Sequence, residues 1–155
     1  MTPICIEIIP FEPLLQPYFE SINKAWVTQY FTLEPFDIEQ LEHPEETILA
    51  KGGGIFFAKK GNEIVGTVGL IPTNNLTCEM IKMGVNPAAQ GKGVGHSLGV
   101  AVLEEARKMG FSKMVLYSNT KLAAALHLYK KLGFHEVKAE CGAYGRCDIK
   151  MERML

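Results

Sequence analysis

Residues Gln90-Gly91-Lys92-Gly93-Val94-Gly95 constrain this chain more than any other stretch, because they set glycines on alternate positions between an apolar β-rich run and a long amphipathic one. Glycine admits positive φ and carries no Cβ, so successive backbone N–H groups can face one concavity with open space before them. The apolar spacing predicts a helix from about Val94. Its first turn adds N–H groups with no partner inside the helix and the positive end of the macrodipole, both of which favour an anion. In the preceding Asn86-Pro87-Ala88-Ala89, Pro87 fixes φ and pushes Asn86 towards an extended conformation, which marks a turn. Strand, turn, glycine loop and helix thus follow in the order that suits a phosphate. A plain flexible connector would use the same glycines, so the loop alone does not decide the matter.

Two phosphate-binding arrangements from other folds fit poorly. A P-loop needs Ser or Thr directly after Gly-Lys to reach magnesium, and here Gly93 follows Lys92. A dinucleotide fold needs an acidic residue about 20 residues on, at the end of the next strand, to hold a ribose. That strand, Lys113 to Tyr117, runs out in Tyr117-Ser118-Asn119.

The rest of the chain reads as one domain over residues 1–155. Ile4, Ile6 and Ile8 alternate with Cys5, Glu7 and Ile9 in a first strand at or near a sheet edge, ended by Pro10. Leu15, Phe19, Ile22, Trp26 and Tyr30 step by helical spacing, with Pro17 in the first turn. Asp37 to Leu41 and Pro44 to Leu49 form a second helical region that Gly52-Gly53-Gly54 stops. Ile55 to Lys60, Gly61-Asn62 and Glu63 to Leu70 make a hairpin, and Thr77 to Val85 extends it to a meander. Val94, Leu98, Ala101, Val102 and Met109 give the next helix its sheet-facing stripe, closed by Gly110. Met114 to Tyr117 is a short buried strand, Leu122 to Leu132 a helix, and Phe134 to Lys138 and Cys147 to Leu155 the last strands. Gly142, Tyr144, Gly145 and Arg146 lie in the loop between those last two. The order mixes a meander with parallel crossovers, which gives a mixed sheet covered by helices.

The run from Met83 to Gly95 resembles the acetyl-CoA signature of the GNAT superfamily of N-acyltransferases, (Gln/Arg)-x-x-Gly-x-(Gly/Ala), with Gln90, Gly93 and Gly95 at the specified positions. Leu126 to Phe134 resembles that superfamily's Leu-Tyr-x-Lys-x-Gly-Phe block. The two blocks in this order are far more specific than either alone. The resemblance implies an α/β fold with a mixed, mostly antiparallel sheet of about six to seven strands and about four flanking helices. It also implies a splay between the strand before the glycine loop and the strand after the following helix, which takes the pantetheine arm. The implied activity is acetyl transfer from acetyl-CoA, a cosubstrate, to a primary amine of a small molecule or peptide by direct attack in a ternary complex, without a metal. A non-catalytic acyl-CoA sensor or an interaction module on the same fold is the alternative.

Acetyl transfer needs a neutral amine, stabilisation of developing negative charge on oxygen, and a proton for the departing thiolate. By resemblance Tyr129 is the acid, and a phenol is protonated at neutral pH without tuning. It also shares its helix's apolar stripe, as a core tyrosine would. Glu79, a carboxylate in the strand leading to the splay, is the candidate base. A strand-paired surface glutamate is the plainer account. The resemblance assigns cofactor contacts to Met83 and Val85 through their backbone, with Gly84 between them as the expected bulge, and to Gln90, Gly91, Lys92, Gly93, Val94, Gly95 and the adjacent His96. Asn119 could hydrogen-bond the pantetheine arm, because many members carry an Asn where this chain has Leu122. His127 and His135, like His96, are also well explained as polar helix or strand residues. Trp26, Tyr30, Phe31 and Phe36, with Tyr144 and Arg146 opposite, are expected to wall the acceptor pocket; for Arg146 a surface position is the simpler expectation.

Composition limits the partners. A formal net charge of -1 offers no general attraction to nucleic acid or to an anionic membrane, and no apolar run approaches a membrane span. Cys5, Cys78, Cys141 and Cys147 lack metal-ligand spacing and suggest no disulfide framework, so reduced thiols in a cytoplasmic protein are expected. The partners are then acetyl-CoA and an amine, and the chain acts as a monomer or homodimer.

Overall fold

The computed structural model describes residues 5–138, 140–141 and 145–155. Ile4, Gly142 and Tyr144 lie outside them. Seven strands form one sheet: β1 (Ile6–Pro10), β2 (Gly54–Lys60), β3 (Glu63–Pro72), β4 (Thr77–Val85), β5 (Lys113–Ser118), β6 (His135–Val137) and β7 (Ile149–Met154), in the order β1-β2-β3-β4-β5-β7-β6. Every neighbouring pair is antiparallel except β4 and β5. β1 is an edge strand, as its flanking Pro10 suggested. Four α-helices cover the sheet: α1 (Gln16–Tyr30), α2 (Pro35–Glu42), α3 (Val94–Lys108) and α4 (Ala123–Lys131). Among the described residues no helix is long and apolar enough to cross a membrane.

Each face of the sheet carries its own core. On one, Leu98, Val102 and Ala106 of α3 and Tyr129 of α4 pack on Met80, Met114, Leu116 and Met151. On the other, Phe19 and Ile22 of α1 and Leu41 of α2 pack with Ile48 on Phe57 and Ile81. Burying each large aliphatic or aromatic side chain contributes about 1.5–3 kcal/mol, which fixes the sheet between its two helical layers. Met109, expected on the α3 stripe, lies past the end of that helix and is 39% exposed.

The expected splay is present. β4 and β5 pair only at Thr77–Lys113, Cys78–Met114 and Glu79–Val115; beyond this β4 continues to Val85 beside β3 and β5 to Ser118 beside β7. The bulge, however, is not at Gly84. Between Thr67↔Gly84 and Gly69↔Ile81 the register gains one residue on β4, and Lys82 takes the left-handed conformation, φ 53°. Two observations fix what this does. Before the bulge Met80 enters the α3/α4 core and Ile81 the α1/α2 core; after it Met83 and Val85 join the α3/α4 core. Lys82 is therefore turned onto the α1/α2 face beside Ile81 instead of alternating with it.

Gly84 has a different task. A Cβ there would stand 2.9 Å from both Ile22 Cγ2 and Trp26 Cδ1, so the missing side chain lets α1 lie against β4. Gly84→Ala should cost about 1–3 kcal/mol through overpacking, read as a thermal midpoint several degrees lower; an unchanged midpoint would show that α1 yields freely.

The cysteines also depart from expectation. Cys141 and Cys147 form a disulfide, their Cα atoms 5.5 Å apart, within the usual span, because the chain folds back on itself before β7. Cys5 is exposed and free, Cys78 buried and free.

Candidate active site

Where β4 and β5 part, the sheet opens into a cleft of about 620 Å³, continuous with solvent. The parting exists because a strand that has lost its neighbour must leave backbone groups and side chains facing a gap. Glu79, Met83, Asn119 and Tyr129 all line it, as do Trp26 and Phe31 of the first aromatic stretch and Arg146 of the last loop. Tyr30 and Phe36 do not line it and are 46% and 41% exposed. Tyr144 is among the residues not described.

Tyr129 is buried, edge-on to Phe134 with ring centroids 6.3 Å apart, and burial pushes its phenol up to about 12. Tyr117, across the cleft, is also raised, first by burial and then by the charge of Glu79. Trp26 is held by its indole N–H, which donates to Asn23 Oδ1 at 2.9 Å, and the Asn23 amide donates to Phe19 C=O at 2.9 Å. Such a buried, satisfied network keeps the indole in one pose.

The glycine loop stands at the other end of the gap. Gly91 and Gly93 adopt φ 76° and 83°, and a Cβ built on either meets nothing within 4 Å, so both face open space. Gln90 closes the turn by donating from Nε2 to Val85 C=O at 3.1 Å, and Lys92 Nζ donates to Ala88 C=O at 3.2 Å. The α-helical ladder begins with Ser97 N–H donating to Gly93 C=O at 3.0 Å, so the N–H groups of the turn before it have no partner in that ladder. Gly95 differs from the other two: a Cβ there would meet Leu128 Cδ2 at 2.8 Å, so this glycine seats α4 against α3. Val85 and residues 90–96 lie outside the cleft lining itself. His96, His127 and His135 are exposed, as polar helix and strand residues are.

Asn119 is turned to a task the sequence did not suggest. Its amide donates to Arg146 C=O at 2.6 Å and its Oδ1 accepts from Lys121 N–H at 2.9 Å, so it ties β5 to the last loop.

The least expected feature is a buried ionic cluster. Asp37 of α2 accepts from Lys82 Nζ at 2.6 Å, from Arg146 Nη1 and Nη2 at 2.6 and 2.9 Å, and from Glu34 N–H at 3.1 Å. Side-chain exposure is 1% for Asp37, 3% for Lys82 and 15% for Arg146. Burial pushes the Asp37 carboxyl up, but the Arg146 and Lys82 cations outweigh it and hold it at about 2. Burial lowers Lys82, with Asp37 opposing that fall and Arg146 adding to it. Arg146 is thus no free surface arginine. The signal for Lys82 was legible, a lysine inside the apolar run Met80-Ile81-Lys82-Met83; Asp37, at the start of a polar helix, gave none.

Comparison with known proteins agrees with this arrangement. The profile of the Acetyltransferase (GNAT) family matches residues 15–134. The N-acetyltransferase YjgM of Escherichia coli K12, itself uncharacterized, is 36% identical over 98 residues, covering 60% of this chain and 59% of that one. A mycothiol acetyltransferase of Amycolatopsis mediterranei is 33% identical over 115 residues, covering 68% of this chain and 38% of that one. The chain therefore spans less than two thirds of these relatives. Among solved structures, a GNAT acetyltransferase of Staphylococcus aureus Mu50 superposes with a TM-score of 0.88 at 22% identity, covering 97% of this chain and 99% of that one. YncA of Salmonella typhimurium, a putative acetyltransferase solved with acetyl-CoA, gives 0.74 at 21% identity over 97% and 94%. These two share the fold. The matched profile takes in the parted strands, the glycine loop and the helix bearing Tyr129, and the chain belongs to the GNAT family of acetyltransferases.

Proposed function

We propose that the chain is an N-acetyltransferase that moves an acetyl group from acetyl-CoA to an amine held in the cleft. The observation that carries this reading is the parting of β4 and β5 after Glu79 and Val115, with an open glycine turn at one end of the gap and Glu79 and Tyr129 inside it. The residues present suit the cosubstrate. Gly91 and Gly93 leave the space a diphosphate needs, Gln90 holds the turn, and the N–H groups from Gly93 to His96 at the head of α3 offer donors and a positive dipole end. Lys92 adds a nearby charge. Met83 and Val85 offer backbone groups along the free edge of β4 to the amides of the pantetheine arm. Asn119, engaged with the last loop, serves the acceptor wall more directly than the arm.

Bound acetyl-CoA supplies a thioester whose carbonyl carbon takes the amine nitrogen while its bond to sulfur breaks. Tyr129 holds a proton for that sulfur, and its raised pKa keeps the proton in place at any ordinary pH. Glu79 accepts the proton the amine gives up, directly or through a water. Trp26 and Phe31 exclude solvent beside them.

Calorimetric titration with acetyl-CoA, then CoA release against an amine panel, tests the reading; no binding of any acyl-CoA would overturn it. Gly93→Glu, which puts a side chain and a negative charge into a left-handed position, should raise the acetyl-CoA Kd at least about tenfold. Binding at wild-type strength by that variant would remove the loop from the cofactor site.

A further inference from the structure

The chemistry proposed for Glu79 and Tyr129 leaves the ionic cluster beside them unused. One carboxylate, Asp37, answers two cations, Lys82 and Arg146, and both cations line the cleft. A tie between α2 and β4 needs only Lys82. The chain nevertheless adds a guanidinium in a bidentate pose, whose orientation a planar fork fixes more firmly than an ammonium could. Of the three side chains Arg146 is the most open, at 15% against 3% and 1%. It is held from behind as well, by the Asn119 amide on its C=O at 2.6 Å and by the disulfide that includes the adjacent Cys147. A preorganised cation facing a cleft loses little freedom when it binds an anion.

The backbone of β4 points the same way. The left-handed conformation at Lys82 turns that residue onto the α1/α2 face, which Asp37 occupies, and a strained non-glycine residue of this kind is a marker of function. Glu79 lines the same cleft earlier in β4, close enough for its charge to bear on Lys82. The cleft thus presents a negative point at Glu79 and a positive one at Lys82 and Arg146. Its complement is a molecule with an ammonium and an anionic group a few bonds apart.

We propose that Arg146 and Lys82 form a carboxylate subsite and that the acceptor is a small amino acid whose amine is presented to Glu79. This rests on the acetyltransferase reading given above. A peptide N-terminus or an amino sugar would leave the subsite unfilled.

Matched pairs test it: α-amino acids against their carboxamides, assayed by CoA release with the intact chain. The carboxamides have the more easily deprotonated amine, so intrinsic reactivity favours them. A kcat/KM at least about tenfold higher for the free acids is the expected result, the scale of one charge-assisted hydrogen bond. Arg146→Gln should abolish that preference while leaving the acetyl-CoA Kd within about twofold, a pattern that loss of a merely structural tie would not give. Calorimetry gives a second readout without turnover: N-acetyl amino acids should bind the CoA complex more tightly than their carboxamides. It also decides the matter if Arg146→Gln fails to fold. Equal turnover and equal binding of acids and amides would overturn the subsite and leave the acetyltransferase standing. Failure to bind acetyl-CoA at all would overturn both.

Discussion

An Asp37→Ala protein should lose about 3–5 kcal/mol of folding free energy, the cost of removing one partner from a buried ionic cluster. The mechanism is specific. Four donors converge on the carboxylate, and without it Lys82, with 3% of its side chain exposed, and most of Arg146 keep their charges where water cannot reach them. On a total stability of about 5–15 kcal/mol such a loss is close to decisive, and urea unfolding at neutral pH would measure it. A loss below about 1 kcal/mol would mean that the cluster is not held together by charge. The pH dependence has a fixed sign. The Asp37 carboxyl titrates at about 2 in the fold, below its ordinary 3.8, so its contribution is fully present above about pH 4 and fades as the pH falls towards 2. That shift corresponds to about 2 kcal/mol, and the gap between wild type and Asp37→Asn should narrow by about that much over the same interval.

The same cluster shows why some of this protein could be read from its residues and some could not. The hairpin turn at Gly61-Asn62, the span of β4 from Thr77 to Val85 and the start of α1 around Pro17 are set by neighbours in the chain, through turn chemistry, alternation and proline geometry. The glycine loop and the Leu128-to-Phe134 block are likewise local, so the family and the splay that comes with it were accessible. Asp37 and Arg146 meet across 109 residues, and no periodicity reports a contact of that kind. The β4 bulge was expected at Gly84 because glycine tolerates unusual backbone; the structure places it at Lys82, where an ion pair with Asp37 offsets the strain, and gives Gly84 to the packing of α1. Gly95 repeats the lesson, since its missing Cβ accommodates Leu128. Cys141 and Cys147, read as free thiols from spacing alone, are joined because the chain doubles back, which only the fold reveals.

Tyr129→Phe should lower kcat by about 10²–10³-fold, the range of a lost general acid, with the acetyl-CoA Kd nearly unchanged. The substitution removes one oxygen and keeps the ring, so the edge-on contact with Phe134 at 6.3 Å and the burial of the side chain survive. A fall in kcat without a fall in thermal midpoint therefore reports on proton delivery and not on packing. The wild-type rate profile supplies the complementary check. Burial holds the phenol at about 12, above its ordinary 10, because the charged form would sit in an apolar pocket with no compensating cation. Ionisation of Tyr129 should thus cause no alkaline fall in kcat up to about pH 10, where an unburied phenol would already be half lost. An alkaline limb centred near 10 that disappears in Tyr129→Phe would show that the bound state opens the pocket to water. Unchanged turnover by the variant would place the acid elsewhere, with Tyr117 across the cleft as the next phenol to remove.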